Sequence, residues 1–168
     1  ERGELIDTKL ADGKIGVIDI GYNTLDLARA DKLEFINPRS TSFSGVGMFS
    51  AFQALSIELY RNLGIEIPPE RLEPIIRDEA VKIAGRTVGI DEYKKAAFWT
   101  AADQIISRIK SVWPDRWELD RILITGGGAV LLGEYLAAEF KQQAQVVSSP
   151  VFANVSGYLK FAARAWRQ

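Results

Sequence analysis

A carboxylate and a glycine stand where an apolar run ends, in the stretch DIGYNTLD at residues 19–26. Glycine in a tight turn lets backbone N–H groups approach a ligand closely, and consecutive N–H groups in such a turn bind anions. Asp19 is placed to hold Mg²⁺ through water, or to orient the water that attacks a γ-phosphate. Thr24 supplies either a hydroxyl contact or only a β-branched strand residue. The motif is therefore interpreted as a phosphate loop or, alternatively, as a plain hairpin with incidental polar residues.

A second glycine motif, ILITGGGA at residues 122–129, follows another apolar run. Glycines between a strand and a helix present free N–H groups and a partial positive charge to an anion or a ribose–phosphate. Gly126, Gly127 and Gly128 lack the spacing of the dinucleotide fingerprint, and no Lys-Ser/Thr pair follows them as in a Walker loop. The alternative is close strand–helix packing that tolerates no side chain. Because both motifs follow apolar strands, we expect the two strand ends to converge on one nucleotide.

The composition limits the chemistry that these motifs can support. The 168 residues include no histidine and no cysteine, so the commonest general base, thiolate chemistry and disulfides are excluded. Catalysis would rest on carboxylates, backbone amides, lysine or arginine and a hard metal ion. The net charge of −1 predicts no direct binding to nucleic acid or to an anionic membrane. No apolar run approaches the ~20 residues that span a bilayer, and no signal-peptide pattern opens the sequence, so a cytoplasmic protein is expected.

The apolar pattern predicts the elements that position both motifs. Residues 1–13 are a polar lead-in, and residues 14–168 are expected to form a single domain. Strands are predicted at residues 14–20, 23–29, 33–36, 86–90 and 146–147 and directly before Gly126, and helices at residues 47–63, 68–85, 91–112, 129–141 and 152–166. This order of an antiparallel meander, helices and then strand–helix–strand–helix predicts an α/β domain with a mixed sheet flanked by helices.

The motifs resemble those of the superfamily that includes actin, the Hsp70 chaperones and the sugar kinases. VIDIGYNTLDL at residues 17–27 is similar to the second phosphate motif of that superfamily, D-[LI]-G-x-x-T-x-D, and ILITGGGAVLL is similar to its adenosine motif. FANVSGYLKFA at residues 152–162 resembles the closing helix of the bacterial plasmid-segregation ATPases of the ParM/StbA type, where Asn154 and Gly157 match recurring positions. The resemblance covers nearly the whole chain and implies a ribonuclease-H-like, actin-type ATPase domain.

The resemblance also implies roles for individual residues, with ATP or ADP and Mg²⁺ as cofactors. Asp19 would be the catalytic carboxylate that faces the metal ion and the attacking water. The β- and γ-phosphates would be contacted by Gly21, Tyr22, Asn23 and Thr24. The glycines at 126–128 would pass under the ribose and the α-phosphate. Glu79 and Lys82 have the E-x-x-K spacing of a helix that faces the nucleoside, or they lie on a solvated helix face. Tyr22 stands where glycine is common, so its side chain is expected to narrow the loop.

Members of this superfamily have two such domains with the nucleotide between them, whereas nothing before Asp19 matches a first phosphate motif. The chain is therefore expected to be the second, C-terminal domain of a two-domain protein, with weak nucleotide binding and negligible hydrolysis on its own. The resemblance implies self-assembly into a filament or homodimer, plasmid or DNA segregation, and a separate DNA-binding adaptor protein. The alternatives are a non-hydrolysing scaffold of the cell-division or pilus type, and half of a small-molecule kinase.

Overall fold

The structure is a computed structural model that describes residues 7 to 166. The predicted lead-in lies partly outside those residues, and its described part contains a short helix. The helices are α1 (Thr8–Asp12), α2 (Met48–Leu63), α3 (Leu72–Asp78), α4 (Asp91–Val112), α5 (Ala129–Phe140) and α6 (Ala153–Ala165). The strands are β1 (Lys14–Ile20), β2 (Thr24–Asp31), β3 (Glu34–Phe35), β4 (Thr41–Ser44), β5 (Ala80–Ile83), β6 (Arg86–Gly89), β7 (Arg121–Thr125) and β8 (Ala144–Val146).

One mixed sheet carries both sequence motifs. Its strand order is β3-β2-β1-β7-β8, and β4 also pairs with β2. The β1–β2 pair is antiparallel, whereas β1–β7 and β7–β8 are parallel. The central strand β1 is a nearly continuous apolar run, as expected for a strand covered on both faces, and Ile18 and Ile20 are fully buried. The predicted α/β fold with a mixed sheet flanked by helices is confirmed.

Helix α4 packs against both α2 and α5, and α5 packs against β7 and β8 of the sheet. In α4 the buried residues recur at helical spacing, including Phe98, Ala102, Ile105 and Ile109. The predicted bounds of α4 are confirmed. The buried Trp113 follows this helix, and its indole Nε1–H donates to the carbonyl of Arg39 at 2.7 Å. This bond joins the carboxyl end of α4 to the segment that precedes β4.

The helix predicted at residues 68–85 is wrong in its second half. Helix α3 ends at Asp78, and β5 and β6 then form an antiparallel hairpin. The chain turns at Ala84 and Gly85, both with positive φ (48° and 81°), which is the backbone of a two-residue hairpin turn. Val81 on β5 is opposite Val88 on β6 in the register, and Val81 is buried against the core. The apolar residues of this segment therefore serve a hairpin face, although their spacing also fits a helix.

Two further differences affect the edges of the sheet. The segment at residues 37–47, before the predicted helix and without a predicted strand, contains β4, which pairs with β2 from Thr24 to Leu27. The last strand, predicted at residues 146–147, is β8 at Ala144–Val146. Both β4 and β8 are short edge strands. Each takes its place by pairing with one earlier strand, β2 or β7, so its own sequence says little about where it begins and ends.

Helix α6 has no buried residue. Large apolar side chains on and next to it are 65–87% exposed, namely Phe152, Val155, Tyr158, Leu159, Phe161 and Trp166. The helix contacts chiefly the short 3₁₀ turn at Pro150–Phe152 that leads into it. Among residues 7 to 166, no helix combines the length and the apolar character that a bilayer span requires.

Candidate functional site

The ends of β1 and β7 bring the two glycine motifs together. The strands are parallel neighbours, and Asp19 lies opposite Thr125 in their register. Just beyond the end of β7, the N–H of Gly128 donates to the carbonyl of Ile20, the last residue of β1, at 2.7 Å. The predicted convergence of the two strand ends is confirmed, and a backbone hydrogen bond joins the two loops directly. The ligand that they would hold stays a prediction.

The loop at residues 21–24 is a tight turn fastened to the start of α2. The N–H of Gly21 donates to the carbonyl of Thr24 at 2.9 Å. The carbonyls of the loop accept hydrogen bonds from the segment around the start of α2. Met48 N donates to Gly21 O (3.1 Å), Phe49 N to Tyr22 O (2.7 Å) and Gly45 N to Asn23 O (2.9 Å). Among the residues described, the N–H groups of Tyr22 and Asn23 then have no protein acceptor. The loop thus has its carbonyls hydrogen-bonded and two successive N–H groups free. Successive free N–H groups of this kind bind anions.

The three glycines at residues 126–128 have different surroundings. Gly126 has φ +90°, and a Cβ there would collide with Asp19 Oδ1 and the carbonyl of Ile20. A Cβ on Gly128 would lie 2.5 Å from Cγ2 of Ile20. A Cβ on Gly127 would meet nothing within 4 Å. Close packing on β1 therefore explains two of the glycines, whereas Gly127 faces open space and its N–H has no acceptor in the described part of the chain.

Asp19 is partly buried, and both of its carboxylate oxygens have close neighbours. Oδ2 accepts a hydrogen bond of 2.6 Å from Nδ2 of Asn154, which lies in the first turn of α6. Oδ1 occupies the place that a Cβ on residue 126 would need. The sequence singles out Asn154 only as a recurring position of the closing helix, and its contact with a residue 135 positions earlier requires the folded chain.

A cavity of about 830 Å³ opens beside these loops. Its aromatic walls come from Tyr22, Phe52, Phe98 and Tyr135, and Gly127 lies on its border. The ring of Tyr22 is turned towards α2, with its centroid 5.7 Å from that of Phe49 and 6.2 Å from that of Phe52. The side chain therefore forms part of the cavity wall. A cavity with aromatic walls next to free N–H groups has the composition of a site for a flat ring that carries an anionic group.

The charged side of this cavity differs from the predicted E-x-x-K helix. Glu79 is the left-handed residue that ends α3 (φ 53°), and Lys82 is an exposed residue of β5, so the two share no helix face. Glu79 borders the cavity, whereas Lys82 does not. The ammonium group of Lys94 on α4 pairs with Glu79 instead. The sequence reasoning missed Lys94, which is only 17% exposed, because the pairing depends on the hairpin that it did not predict.

Further charged side chains lie at the same cavity and at the start of α4. Glu70, Glu73 and Arg77 also border the cavity. At the start of α4, a 2.6 Å hydrogen bond from Lys95 holds the pKa of Asp91 below its usual range, and this bond raises the pKa of Lys95. Lys94 lies 3.8 Å from Asp91, so two carboxylates stabilise its positive charge.

Asp19 lies at the loop ends, opposite Asp26 in the register of β1 and β2. Within residues 7 to 166, no three acidic or histidine side chains cluster as a set of metal ligands. Mg²⁺ in nucleotide sites usually keeps several waters and takes one or two carboxylates together with phosphate oxygens. The donor set at Asp19 fits a metal ion that arrives with a nucleotide.

The family model for the C-terminal domain of archaeal MreB-like actin homologues matches residues 17–138. The chain belongs to this family. The match includes both glycine motifs, α2, α4 and most of α5. Comparison with curated protein sequences finds no match.

Solved actin-like structures share the fold of this domain. A non-polymerisable quadruple mutant of pCBH ParM is 24% identical with a TM-score of 0.77, and the match covers 91% of this chain and 47% of that one. A 15-stranded ParM filament from Clostridium botulinum is 24% identical with a TM-score of 0.79, covering 96% of this chain and 50% of that one. The archaeal actin homologue Ta0583 in complex with ADP is 24% identical with a TM-score of 0.74, covering 92% of this chain and 50% of that one.

This actin-like domain therefore spans about half the length of the solved structures that it matches. The predicted resemblance to actin-like ATPases related to ParM is confirmed at the level of family and fold.

Proposed function

We propose that this chain is the nucleotide-binding second domain of an actin-like, filament-forming ATPase. The observation that carries the proposal is the hydrogen bond from Gly128 N–H to the carbonyl of Ile20, which joins the two glycine loops beside one cavity. The free N–H groups of Tyr22, Asn23 and Gly127 are suited to phosphate oxygens. The aromatic side chains that line the cavity are suited to the base of ATP or ADP.

Charged residues at the cavity border fit the polar part of a nucleoside. A carboxylate accepts hydrogen bonds from ribose hydroxyls, as acidic residues do in other nucleotide folds. Glu79, predicted from the resemblance, borders the cavity and pairs with Lys94, and both observations support this role. Lys82 stays a prediction from the resemblance, and its position on β5 outside the cavity lining favours a solvated role.

Asp19 would hold Mg²⁺ through water when the ion is bound with the nucleotide. Such an ion neutralises charge on the phosphate oxygens of a transferring group. Asp19 would orient the attacking water, while the loop N–H groups bind the phosphates. We expect weak binding and negligible hydrolysis by the chain alone, because catalysis needs further groups positioned together with Asp19 and the phosphates.

The whole protein would assemble with copies of itself, because a solved ParM filament has the same fold. Plasmid or DNA segregation through a DNA-binding adaptor protein, in the cytoplasm, is the cellular role that we propose. The net charge of −1 supports an adaptor over direct binding to nucleic acid.

Calorimetric titration of the chain with Mg·ADP and Mg·ATP tests the proposal. We expect weak, saturable binding by the wild-type chain. Gly127→Leu should reduce the affinity at least about tenfold, because the new side chain would occupy the cavity beside the loops. Gly157→Leu is the matched control, since a Cβ on Gly157 also meets nothing within 4 Å and Gly157 lies outside the cavity lining.

Two results would contradict the proposal. Absence of binding by the wild-type chain at millimolar nucleotide would favour the scaffold alternative. Equal loss of affinity in both glycine variants would mean that the cavity beside Gly127 is not where the nucleotide binds.

A further inference from the structure

The side chain of Asn154 reaches the carboxylate that the proposed function places nearest the metal ion. Its Nδ2 donates to Asp19 Oδ2 at 2.6 Å, across 135 positions of sequence. The other oxygen, Oδ1, lies where a Cβ of residue 126 would be, so only glycine fits beside it. The carboxylate is therefore held between an amide donor and a glycine.

We propose that Asn154 is a positioning residue that fixes the orientation of the Asp19 carboxylate for a divalent cation bound with the nucleotide phosphates. This inference rests on the proposed function. An amide is suited to this task because it donates a hydrogen bond without bringing a positive charge. A lysine or arginine at the same place would neutralise the carboxylate and weaken its attraction to a cation. Hydrogen-bond partners of this kind orient metal-facing carboxylates in proteins.

The alternative is that Asn154 only anchors the start of α6 to the sheet. Other hydrogen bonds already anchor the segment that leads into this helix. The carbonyl of Pro150 accepts hydrogen bonds from Gly126 N (3.0 Å) and from the Thr125 hydroxyl (3.1 Å). The N–H of Phe152 donates to the carbonyl of Ser149 at 3.1 Å and closes the turn before the helix. The start of α6 is therefore held in place without the Asn154 side chain. What the hydrogen bond from Asn154 to Asp19 adds is a fixed orientation of the Asp19 carboxylate.

The test measures the affinity of the 168-residue chain for ADP in Mg²⁺ and in excess EDTA. In the wild-type chain we expect Mg²⁺ to tighten ADP binding. Asn154→Leu, which keeps the size of the side chain and removes the donor, should reduce this Mg²⁺-dependent gain by about tenfold. The affinity measured in EDTA should change by less than about twofold. Asn154→Ala serves as a second variant, and Ser156→Ala on the exposed surface of α6 is the matched control.

A double-mutant cycle with Asp19→Asn separates positioning from a structural effect. Once the carboxylate is gone, Asn154→Leu should have no further effect on the Mg²⁺ dependence. Equal weakening of ADP binding with and without Mg²⁺ would overturn the inference, because it would indicate a general loosening of the site. An unchanged Mg²⁺ gain in both Asn154 variants would also overturn it while leaving the proposed function intact. A wild-type chain that binds no ADP under either condition would overturn both.

Discussion

Alanine at each of the three glycines of residues 126–128 should affect stability to a different extent. Gly126→Ala places a Cβ against Asp19 Oδ1 and the carbonyl of Ile20, in a backbone conformation of φ +90°. Gly128→Ala places a Cβ 2.5 Å from Cγ2 of Ile20, in a helical conformation of φ −69°. Gly127→Ala places a Cβ in open space. We therefore expect the loss of stability to be largest at Gly126, smaller at Gly128 and absent at Gly127.

The expected magnitudes follow from the kind of collision. A non-glycine residue in a sparsely populated positive-φ conformation costs about 1–3 kcal/mol, and overpacking against neighbours costs about 1–3 kcal/mol more. Gly126→Ala should thus lower the free energy of unfolding by about 4 kcal/mol, and the Tm by about 8–16 °C for a domain of this size. Gly128→Ala avoids the backbone strain and overpacks only against the buried Ile20, so about 1–3 kcal/mol is expected. Gly127→Ala should range from neutral to about 1 kcal/mol stabilising.

Urea denaturation followed by tryptophan fluorescence measures these differences, because the fully buried Trp113 becomes exposed on unfolding. The transition midpoints should fall in the order Gly127→Ala, Gly128→Ala, Gly126→Ala, with Gly127→Ala the highest. Equal midpoints for Gly126→Ala and Gly127→Ala would refute the reasoning. That result would mean that the close approach to β1 does not require glycine at residue 126.

Two further predictions concern regions outside the glycine loops. Desolvation pushes the pKa of the Asp115 carboxyl upwards, but its backbone hydrogen bond and the guanidinium of the buried Arg29 (3.0 Å), with Arg39 at 3.3 Å, hold that pKa below its usual range. Asp115→Asn should therefore lower the Tm at neutral pH, and its deficit against wild type should disappear as acid titrates the folded carboxyl; a deficit that persists at the acid end would contradict this. The exposed apolar face of α6 should bind a second copy of the chain, so Leu159→Asp should dissociate a self-associated species in sedimentation, whereas the control Lys160→Asp should not. A wild-type chain that sediments as a monomer at high concentration would be contrary to this expectation.

The two long helices α2 and α4 could be predicted because their sequences carry strong local information. Apolar residues recur at helical spacing through both, and Gly64 ends α2 in the left-handed conformation (φ 68°). The β5–β6 hairpin could not be predicted in the same way. Ile76, Ala80 and Ile83 fit a helical stripe equally well, and the helix-ending conformation falls on Glu79, which is neither glycine nor asparagine. Tertiary packing against the core decides between the two structures.

The same distinction between local sequence information and tertiary packing decides which parts of the site could be predicted. The two glycine motifs could be recognised because tight turns and close backbone contacts restrict residue type locally. The pairing of Lys94 with Glu79 and the bond from Asn154 to Asp19 join residues 15 and 135 positions apart. No local pattern encodes such contacts, since they depend on where the hairpin and the last helix pack. Sequence reasoning therefore predicted the loops and named Glu79 and Asn154, but it missed Lys94 and the contacts that these side chains make.

Backbone hydrogen bonds within the domain hold both glycine loops in place. This matters for ligand binding by a chain that spans about half the length of its structural relatives. The carbonyl of Tyr22 is bonded to Phe49 N at 2.7 Å, and Gly128 N to the carbonyl of Ile20 at the same distance. A loop that is already ordered loses little conformational entropy on binding. Weak binding by this chain would then arise from ligand contacts that it lacks, and residues supplied from elsewhere would tighten binding without reorganising the loops. The two glycine motifs are on this argument a preformed part of the proposed nucleotide site.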